Sequence, residues 1–540
     1  MPFQKHFLFS LLVIAVVVLG SAVAFLFVPH GPRTALEGAR ASLDYYALER
    51  EYARLVDADV YNLDNHRGLL DAHLSIPKMT RMRHSTIVRD DTQIQDRYNR
   101  YIKSNDPKLR DIGLYGMGYF FAREQLPDRG LEYFDKIVNR DMPYLNNSIG
   151  YLYWHEKRQP DRARPYFERE IALKGNVDGA VSNLAELFWE QRKLGEMDAL
   201  SRDAALGRYF PMHALRYLEL AERRYGAYMM TLLRSEASAV TWMSLLSSLS
   251  IALMFLAYIY FVDVFENERI SLLAAIFGMG VLSGVLASMF YDLAGSYLGV
   301  KETGRGLQDL GFFIFGVGLF EETAKVIPVL IAVFLWKKWN ESVDILVFAA
   351  VSALGFACIE NVGYFSRVAI GLIVGRSLSA VVMHVCLTSL AVYGLFHRRY
   401  MRDSWGVIWV FGCFGAAVLA HGLYDFFLSS SIGLGIVSTL ILIYLIIVFR
   451  NMLENALDQS EFFSGSTFKI NLSVYLFYGV LGILLMQFSI LAVQYGLNLS
   501  LSNLGLNILK FYFLCFILIV GFGNLKLVKH KWRSILSRER

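Results

Sequence analysis

The stretch Phe320-Glu-Glu-Thr-Ala-Lys-Val-Ile-Pro328 places three ionisable side chains in an apolar segment, namely Glu321, Glu322 and Lys325. Three further apolar segments share this property, and they are FACIENVGYF at 356–365 (Glu360, Asn361), VVMHVCLTSL at 381–390 (His384) and AHGLYDFF at 420–427 (His421, Asp425). A charge at bilayer depth costs at least about 2.5 kcal/mol, so such residues usually pair inside a bundle and mark a functional site. The four segments therefore predict one buried polar site inside a membrane protein.

The composition supports the membrane class. Of the 540 residues, 55% are hydrophobic and only 19% are charged, whereas soluble domains carry about 25% charged residues. The apolar residues are concentrated after Ala239, and residues 30–235 have an ordinary polar composition. We therefore expect an all-α fold in which a soluble helical domain precedes a polytopic helix bundle.

The net charge of +5 does not indicate a nucleic-acid partner, because the basic clusters lie beside apolar segments. Cytoplasmic loops of membrane proteins are enriched in basic residues in this way. The four cysteines all lie in apolar segments, and they are Cys358, Cys386, Cys413 and Cys515. No disulfide framework is therefore predicted for the soluble part.

Segments of roughly 20 apolar residues are long enough to cross a bilayer. The chain has about ten, near 7–28, 239–262, 271–292, 311–336, 342–365, 377–396, 405–428, 432–449, 471–494 and 505–525. The predicted organisation is a membrane anchor at 1–30, an exported domain at 31–235, a membrane core at 239–450 with its motifs at 321–425, additional spans at 451–528 and a basic cytoplasmic tail at 529–540. Ala22-Val23-Ala24 resembles a signal-peptide cleavage site, but apolar residues continue through Val28, which favours an uncleaved anchor.

The basic clusters predict the orientation of the spans. With the N-terminus inside, Lys337-Lys338, the run from His397 to Arg402, Arg450 and the C-terminus all fall on the cytoplasmic side, as the positive-inside rule requires. Residues 31–235 are then extracytoplasmic. At about 1.5 Å of rise per residue, the ionisable residues of the four segments all lie between the outer surface and the bilayer midplane. This shared depth is a further reason to expect one site.

Residues 107–210 have an internal repeat. Pro127-Asp128-Arg129 recurs as Pro160-Asp161-Arg162, an offset of 33 residues, which resembles the helical hairpins of tetratricopeptide-type repeats. Gly118 and Gly150 lie where a small residue would let paired helices approach. Such arrays form concave surfaces that bind peptides or proteins. Recruitment of a protein partner and a rigid spacer are therefore both open as roles for this domain.

The acidic pair and the lysine of the first segment have helical spacing. Glu321 and Lys325 lie four residues apart and Glu322 and Lys325 three apart, so all three side chains can share one helix face. Two carboxylates beside one ammonium are not both ionised cheaply in a low dielectric. One is expected to pair with Lys325 and the other to exchange a proton, as a general base that activates water does. A structural ion pair between helices is the alternative.

Two other segments also have i,i+4 pairs. The ring of Phe356 is expected to pack one turn beneath the carboxylate of Glu360, and Asn361 is expected to supply a neutral hydrogen-bond donor. In the last segment, the Asp425 carboxylate is positioned to fix the tautomer of His421. Both pairs fit a site that handles protons, although a glutamate near the membrane interface can also extend its side chain outward to water.

Together these residues resemble the PrsW family, within the larger group of CAAX prenyl endopeptidases and bacteriocin-processing membrane proteases. The family pattern is Glu-Glu-x-x-Lys, Phe-x-x-x-Glu-Asn, a later helix with a histidine, and His-x-x-x-Asp, and the matching positions are Glu321–Lys325, Phe356–Asn361, His384 and His421–Asp425. The resemblance covers residues 270–430, and prenyl endopeptidases carry histidine in place of Glu360. It implies an intramembrane protease that clips the extracytoplasmic part of a membrane-anchored protein, such as an anti-sigma factor.

The resulting hypothesis is peptide-bond hydrolysis inside the membrane. Glu321 or Glu322 activates water, and Glu360 shares or orients the proton. His384 and His421 stabilise the oxyanion or protonate the leaving amine, although His384 taken alone is equally consistent with a core histidine. The supporting residues are Lys325, Phe356, Asn361 and Asp425. A glutamate-activated water requires no metal, but zinc is a candidate cofactor, with Glu322, Glu360, His384 and His421 as its ligands.

The expected substrate is a protein or peptide with a transmembrane segment, and the expected location is the bacterial inner membrane. One alternative is a proton- or ion-coupled transporter, since buried acidic, basic and imidazole groups also relay protons. Many transporters have inverted repeats, and none is evident among these spans. Another alternative is a non-catalytic membrane receptor whose repeat domain acts as a scaffold for partners.

Overall fold

The computed structural model describes residues 34–535 apart from 77–78, 83–84, 304–305, 368, 402–405 and 430–433. The predicted anchor at 1–30 and the last residues of the basic tail, 536–540, lie outside the described residues. The described chain divides into two compact units, one over Ala35–Ser235 and one from Glu236 onward. This division lies close to the change in composition at residue 239.

The first unit consists of short helices and one hairpin. Up to the unit boundary, the helices are α1 (Ala35–Ser42), α2 (Tyr45–Ala58), α3 (Leu63–Ser75), α4 (Thr92–Ile102), α5 (Pro107–Arg123), α6 (Pro127–Asp135), α7 (Leu145–Tyr151), α8 (Pro160–Ala172), α9 (Val177–Glu190), α10 (Leu194–Arg202), α11 (Met212–Ala221) and α12 (Tyr225–Ser238). The strands β1 (Met79–Met82) and β2 (Ser85–Val88) pair antiparallel, which adds a small hairpin to the predicted helices. Pro107, Pro127 and Pro160 begin their helices, where the missing N–H group costs nothing.

Two glycines in the predicted repeat make equivalent contacts. A Cβ atom at Gly118 would lie 2.5 Å from the ring of Phe134, and a Cβ atom at Gly150 would lie 2.7 Å from the ring of Phe167. Both rings are fully buried, so each pair of helices packs closely only because a glycine faces the ring. The two rings lie 33 residues apart, which is the offset of the predicted repeat, and the two glycines lie 32 residues apart. The assignment to tetratricopeptide-type repeats stays a prediction.

The second unit consists mainly of long apolar helices. They are α13 (Trp242–Val262), α14 (Ile270–Leu293), α15 (Leu319–Leu330), α16 (Asp344–Arg367), α17 (Ile373–Leu378), α18 (Ala380–Met401), α19 (Gly406–Ser429), α20 (Gly435–Asp458), α21 (Ser473–Tyr495) and α22 (Leu497–Gly523). Within the described residues, eight helical segments are long and apolar enough to cross a membrane. They overlap eight of the predicted spans, and the predicted all-α polytopic membrane bundle is confirmed.

The predicted span at 311–336 has a different internal structure from the others. Its helix is π-helical over Phe312–Gly318, α-helical over Leu319–Leu330 and π-helical again over Ile331–Leu335. Wide turns of this kind change which face a side chain occupies and are frequent at functional sites. Here they flank α15, the helix that carries the acidic pair.

Close backbone contacts at glycines bring the helices of the site together. A Cβ atom at Gly280 on α14 would lie 2.3 Å from the carbonyl oxygen of Ser352 on α16. A Cβ atom at Gly318 would lie 2.5 Å from the carbonyl oxygen of Val418 on α19. A Cβ atom at Gly422, one position after His421, would lie 2.5 Å from the Cα atom of Ile314 in the π-helical stretch before α15.

The C-terminal part of the chain is fixed to the helix bundle. Strands β3 (Thr467–Asn471) and β4 (Asn524–Val528) pair antiparallel, so a second hairpin is added to the predicted helices. Beyond β4, the backbone N–H of Arg533 donates to Asn455 Oδ1 at 2.7 Å. The ring of Trp532 stacks on Phe396, with ring centroids 5.7 Å apart. The described part of the predicted tail, 529–535, therefore packs on α18 and α20.

A group of buried carboxylates lies at the end of α13 and is expected to make stability depend on pH. Burial, together with the charges of Glu341 and Asp344, raises the pKa of Asp263 to about 8, and burial raises the pKa of Glu341 to about 7. Oδ1 of Asp263 is buried and has no hydrogen-bond partner among the residues that the structure describes. Ionisation of this carboxyl therefore opposes folding.

Because the folded-state pKa of Asp263 is raised, its stabilising contribution is fully present below pH ~4 and is lost as pH rises through about 8. We expect Asp263→Asn to have a higher thermal midpoint than the wild type at pH 8. The stability gained by the variant over the wild type should be larger at pH 8 than at pH 5, by about 1.4 kcal/mol or more. The measurement is thermal unfolding of the detergent-purified protein at a series of pH values. Asp178→Asn, at an exposed carboxylate of the first unit, should leave the pH profile unchanged. A profile for Asp263→Asn that parallels the wild type would contradict the assignment.

Candidate active site

Six of the predicted site residues line one cavity of about 480 Å³. They come from α15, α16, α18 and α19, and they are Glu321, Phe356, Glu360, His384, His421 and Asp425. The cavity also contains residues that were not predicted, among them Tyr291 and Arg376. Glu322, Lys325 and Asn361 do not line the cavity and are buried behind its wall. The four polar segments of the sequence therefore meet at one place.

The acidic pair and Lys325 form a buried ion cluster on α15. Lys325 Nζ donates to Glu322 Oε1 at 2.8 Å and lies 3.3 Å from Glu321 Oε2. The side chains of Glu322 and Lys325 are 0% exposed, whereas Glu321 is 10% exposed toward the cavity. Adjacent positions on the helix thus give the two carboxylates different environments, with Glu322 inside the protein and Glu321 at the cavity surface.

His421 contacts both carboxylates of the pair. Its Nδ1–H donates to Glu322 Oε1 at 2.8 Å, and its Nε2 lies 3.4 Å from Glu321 Oε2 and 3.3 Å from Asp425 Oδ2. The sequence predicts Asp425 as the group that fixes the tautomer of this ring. Asp425 is close to it, but the shorter contact is with Glu322, which therefore has the larger part in orienting the imidazole.

His384 joins the lysine to the glutamate of the second segment. Its Nδ1 accepts from Lys325 Nζ at 2.8 Å, and its Nε2–H donates to Glu360 Oε2 at 2.9 Å. The ring centroids of His384 and His421 are 5.4 Å apart. Phe356 lies under the ammonium of Lys325 at 4.4 Å and against the ring of His384, and its packing beneath Glu360 stays a prediction. It therefore stabilises the buried cation by a cation–π contact.

Asn361, expected to supply a donor, accepts a hydrogen bond from Arg376, and its role as a donor stays a prediction. Arg376 Nε donates to Asn361 Oδ1 at 2.6 Å, and Arg376 Nη2 lies 2.7 Å from Glu360 Oε2. The guanidinium also lies over the ring of Tyr364 at 3.6 Å. Arg376 therefore holds Glu360 in place, and it uses Asn361 as its own acceptor.

Three residues that contact the site were not predicted from the sequence, and only Arg376 has a sequence feature that could have identified it. Tyr291 O–H donates to Glu321 Oε1 at 2.7 Å, and Thr388 O–H donates to Glu322 Oε2 at 2.9 Å. Tyrosine and threonine are common in membrane helices and gave no signal. Arg376 follows an apolar segment and is a further ionisable residue at membrane depth, so the rule that selected Glu360 applies to it as well.

The charged groups near the cavity have an excess of negative charge, which favours binding of a further cation. The carboxylates are those of Glu236, Glu321, Glu322, Glu360 and Asp425, and the permanent cations are Lys325, Arg367 and Arg376. The five carboxylates exceed the three cations by two negative charges, which protons or a metal ion must balance. Among the described residues, Oε2 of Glu321 is buried and has no hydrogen-bond partner of good geometry. It is therefore an atom of the cluster with capacity for another ligand.

Among the described residues, one ligand atom each from Glu321, His384 and His421 lies within 4.8 Å of the others. Two imidazoles and one carboxylate are a donor set that zinc accepts, and the residues present fit such an ion once Nδ1 of His384 exchanges its hydrogen bond from Lys325 for the metal. The set differs from the predicted ligands Glu322, Glu360, His384 and His421. Both oxygens of Glu322 already accept hydrogen bonds, and Glu360 Oε2 already accepts from His384 and Arg376.

Known proteins are similar to this chain over the region that contains the site. Residues 268–451 match the model of a family described as PrsW family intramembrane metalloprotease. Protease PrsW of Bacillus subtilis (strain 168) is 28% identical over 177 residues, which cover 32% of this chain and 78% of that protein. Protease PrsW of Geobacillus kaustophilus (strain HTA426) is 26% identical over 182 residues, which cover 32% of this chain and 74% of that protein. No solved structure matches the chain.

The matched segment contains all four polar motifs and the helices that surround the cavity. The chain is an integral membrane protein by its eight apolar helices within the described residues. Residues 268–451 of this chain are therefore similar to the PrsW family of intramembrane proteases.

Proposed function

We propose that the protein hydrolyses a peptide bond of a membrane-anchored substrate near the extracytoplasmic face of the membrane, with Glu321 as the base that activates water. The observation that carries this proposal is the different environment of the two adjacent glutamates. Glu321 faces the cavity with one oxygen lacking a well-aligned partner, whereas Glu322 is buried and fully hydrogen-bonded. A base must reach the proton that it removes, and of the two only Glu321 lines the cavity.

The chemical step follows from the positions of the groups around Glu321. Water loses a proton to Glu321 while its oxygen forms a bond to the scissile carbonyl carbon. The same proton then passes to the amine nitrogen as the C–N bond breaks. Tyr291 O–H, 2.7 Å from Glu321 Oε1, and the ring of His421 are the groups at the cavity surface that can stabilise the charge developing on the carbonyl oxygen.

The remaining residues position these groups and do not need to touch the substrate. Glu322 orients His421 and holds Lys325. Glu360 orients His384, and Arg376 in turn holds Glu360. Such supporting hydrogen bonds fix the tautomer and direction of the groups that act. Within this proposal, Lys325 stabilises the ionised form of the carboxylates.

In a zinc-dependent form of this proposal, Glu321, His384 and His421 would hold the ion, as their clustered ligand atoms and the excess of negative charge support, and Glu321 would then act as a ligand in place of the base. Bound zinc would supply Lewis-acid activation of water and of the scissile carbonyl. The protein's own contribution is then to orient the two imidazoles through Glu322 and Glu360.

If zinc is held there, its removal should stop cleavage. We expect a chelator to lower cleavage by the purified protein at least about tenfold, and added zinc to restore it. The His384→Ala variant should bind zinc roughly tenfold or more weakly than the wild type. The measurements are elemental analysis of the purified protein and cleavage of a single-span substrate. Full activity in a metal-free sample would exclude a zinc-dependent mechanism and leave Glu321 as the base acting alone.

The substrate class and location are also part of the proposal. An extracytoplasmic site in the bacterial inner membrane suits a membrane-anchored signalling protein such as an anti-sigma factor. Residues 31–235 would lie on the same side as the site, with the C-terminus in the cytoplasm. They are suited to recruiting a protein partner through their helical repeats.

The test of this function is a comparison of membrane proteins in cells that produce the wild type or Glu321→Gln. A substrate should appear as two fragments, cut near the outer end of its transmembrane segment, only with the wild type. Identical peptide patterns for the two proteins would contradict a protease function.

A further inference from the structure

The last two membrane helices, α21 and α22, lie beyond the region that matches the family model, which ends at residue 451. Both of them contact the short helix α17, which carries Arg376. α17 has six residues, and a helix this short is not stable without contacts from its neighbours. The position of Arg376 beside the active site therefore depends on the residues that hold α17.

Gln487 of α21 holds the beginning of α17. Its Oε1 accepts a hydrogen bond from the backbone N–H of Val374, the second residue of α17, at 2.8 Å. The first N–H groups of a helix have no partner within that helix, and an unpaired N–H group is costly inside a membrane. The side chain of Gln487 therefore supplies, from another helix, an acceptor for the start of α17.

The amide of Gln487 is itself held in one orientation. The residue is 1% exposed, and its Nε2 donates to Asn503 Oδ1 of α22 at 2.6 Å. Asn503 Oδ1 also accepts from Asn507 Nδ2 at 2.9 Å. Both ends of the buried amide are thus hydrogen-bonded, which fixes its carbonyl toward α17. α22 contacts α17 directly as well, because a Cβ atom at Gly375 would lie 3.2 Å from Cζ of Phe511.

α17 contacts the active site through Arg376, two residues after Val374. Arg376 Nη2 lies 2.7 Å from Glu360 Oε2, and this oxygen accepts from His384 Nε2 at 2.9 Å. The contacts therefore continue from Gln487 through α17 to the imidazole of His384. Gln487 does not line the catalytic cavity, so its effect on the reaction is indirect.

We propose that Gln487 is a positioning residue of the active site. It fixes α17 so that Arg376 holds Glu360, and Glu360 in turn orients His384. The inference rests on the proposed function, and it gives α21 and α22 a role in catalysis. Loss of the hydrogen bond to Val374 should act mainly on kcat, because it changes the orientation of a group in the chemical step.

The test compares Gln487→Met, which has nearly the same length but no acceptor, with Gln494→Met as the matched control. Gln494 is on the same helix about two turns further along, and its Nε2 donates to Met243 on α13. In the purified full chain, we expect Gln487→Met, and not the control, to make the amides of α17 exchange with deuterium about fivefold faster. Mass spectrometry of peptides from α17 gives this readout without any need for cleavage activity.

The kinetic test uses cleavage of a single-span substrate. Gln487→Met should lower kcat about tenfold with KM within about twofold of the wild type, whereas Gln494→Met should leave both unchanged. Gln487→Glu retains the acceptor oxygen and should restore most of the wild-type kcat. Asn503→Ala removes the acceptor that orients Gln487. It is the milder variant for the case that Gln487→Met does not fold, and it should lower kcat about threefold or more.

A double variant tests the path through Arg376. Arg376→Gln should lower kcat about tenfold or more, and Gln487→Met should cause no further loss in that background. Equal proportional losses in the two backgrounds would overturn the inference, because Gln487 would then act on stability alone. A wild-type kcat in Gln487→Met would also overturn it and leave the proposed function intact. If the wild type itself cleaves no substrate, the proposed function fails, and this inference fails with it.

Discussion

Glu321→Gln should lower the rate of substrate cleavage about 10³-fold while the protein remains folded, which is within the range for loss of a general base. Glutamine has almost the same shape as glutamate, and its amide can still accept the hydrogen bond from Tyr291 at the position of Oε1. It cannot, however, remove a proton from water. The measurement is the cleavage rate of a single-span substrate in proteoliposomes, together with the thermal midpoint of the purified variant.

A matched control separates this effect from the loss of any buried carboxylate. Glu341 is also a buried glutamate of the membrane unit, but it accepts from Ser460 at a distance from the cavity and does not line it. The Glu341→Gln protein should therefore cleave the substrate at the wild-type rate. Cleavage by Glu321→Gln within a fewfold of wild type would contradict the assignment of Glu321 as the base.

That the ionisable residues of the four segments meet in one site was predictable, because their helical spacing and their depth in the membrane can be read from the sequence. A charge in an apolar segment needs a partner, and only a few charges were available at the same depth. Glu321, Glu360 and His421 could therefore be expected to meet, and they line one cavity. The same reasoning gave eight of the helical spans that lie within the described residues.

The roles within the group were less predictable, because they depend on contacts between helices. Nothing in the sequence distinguishes Glu321 from Glu322, and their difference arises because Thr388 and His421 from two other helices contact Glu322. The donor to Asn361 is Arg376 on the short helix α17, whose position depends on the turn before α18. Pairings such as β3 with β4, from segments more than fifty residues apart, likewise have no local signal.

Lys325→Met should destabilise the protein by about 3–5 kcal/mol, the usual cost of removing one partner of a buried ion pair. Methionine has nearly the length of lysine and still packs on Phe356, so the effect isolates the charge. Without the ammonium, Glu322 is left ionised at 0% exposure, and His384 Nδ1 loses its donor. We expect a marked fall in the thermal midpoint in detergent and no detectable cleavage.

The double variant Lys325→Met/Glu322→Gln distinguishes stability from function. Because it removes both charges of the pair, it should recover much of the lost stability, and the difference from the sum of the single variants measures their coupling. Cleavage should not recover, because His421 loses the carboxylate that orients it and His384 still lacks its donor. A Lys325→Met protein as stable as the wild type would mean that the buried carboxylates are already neutralised without this lysine. In that case the charge balance around Glu321 that supports the proposed mechanism would be wrong.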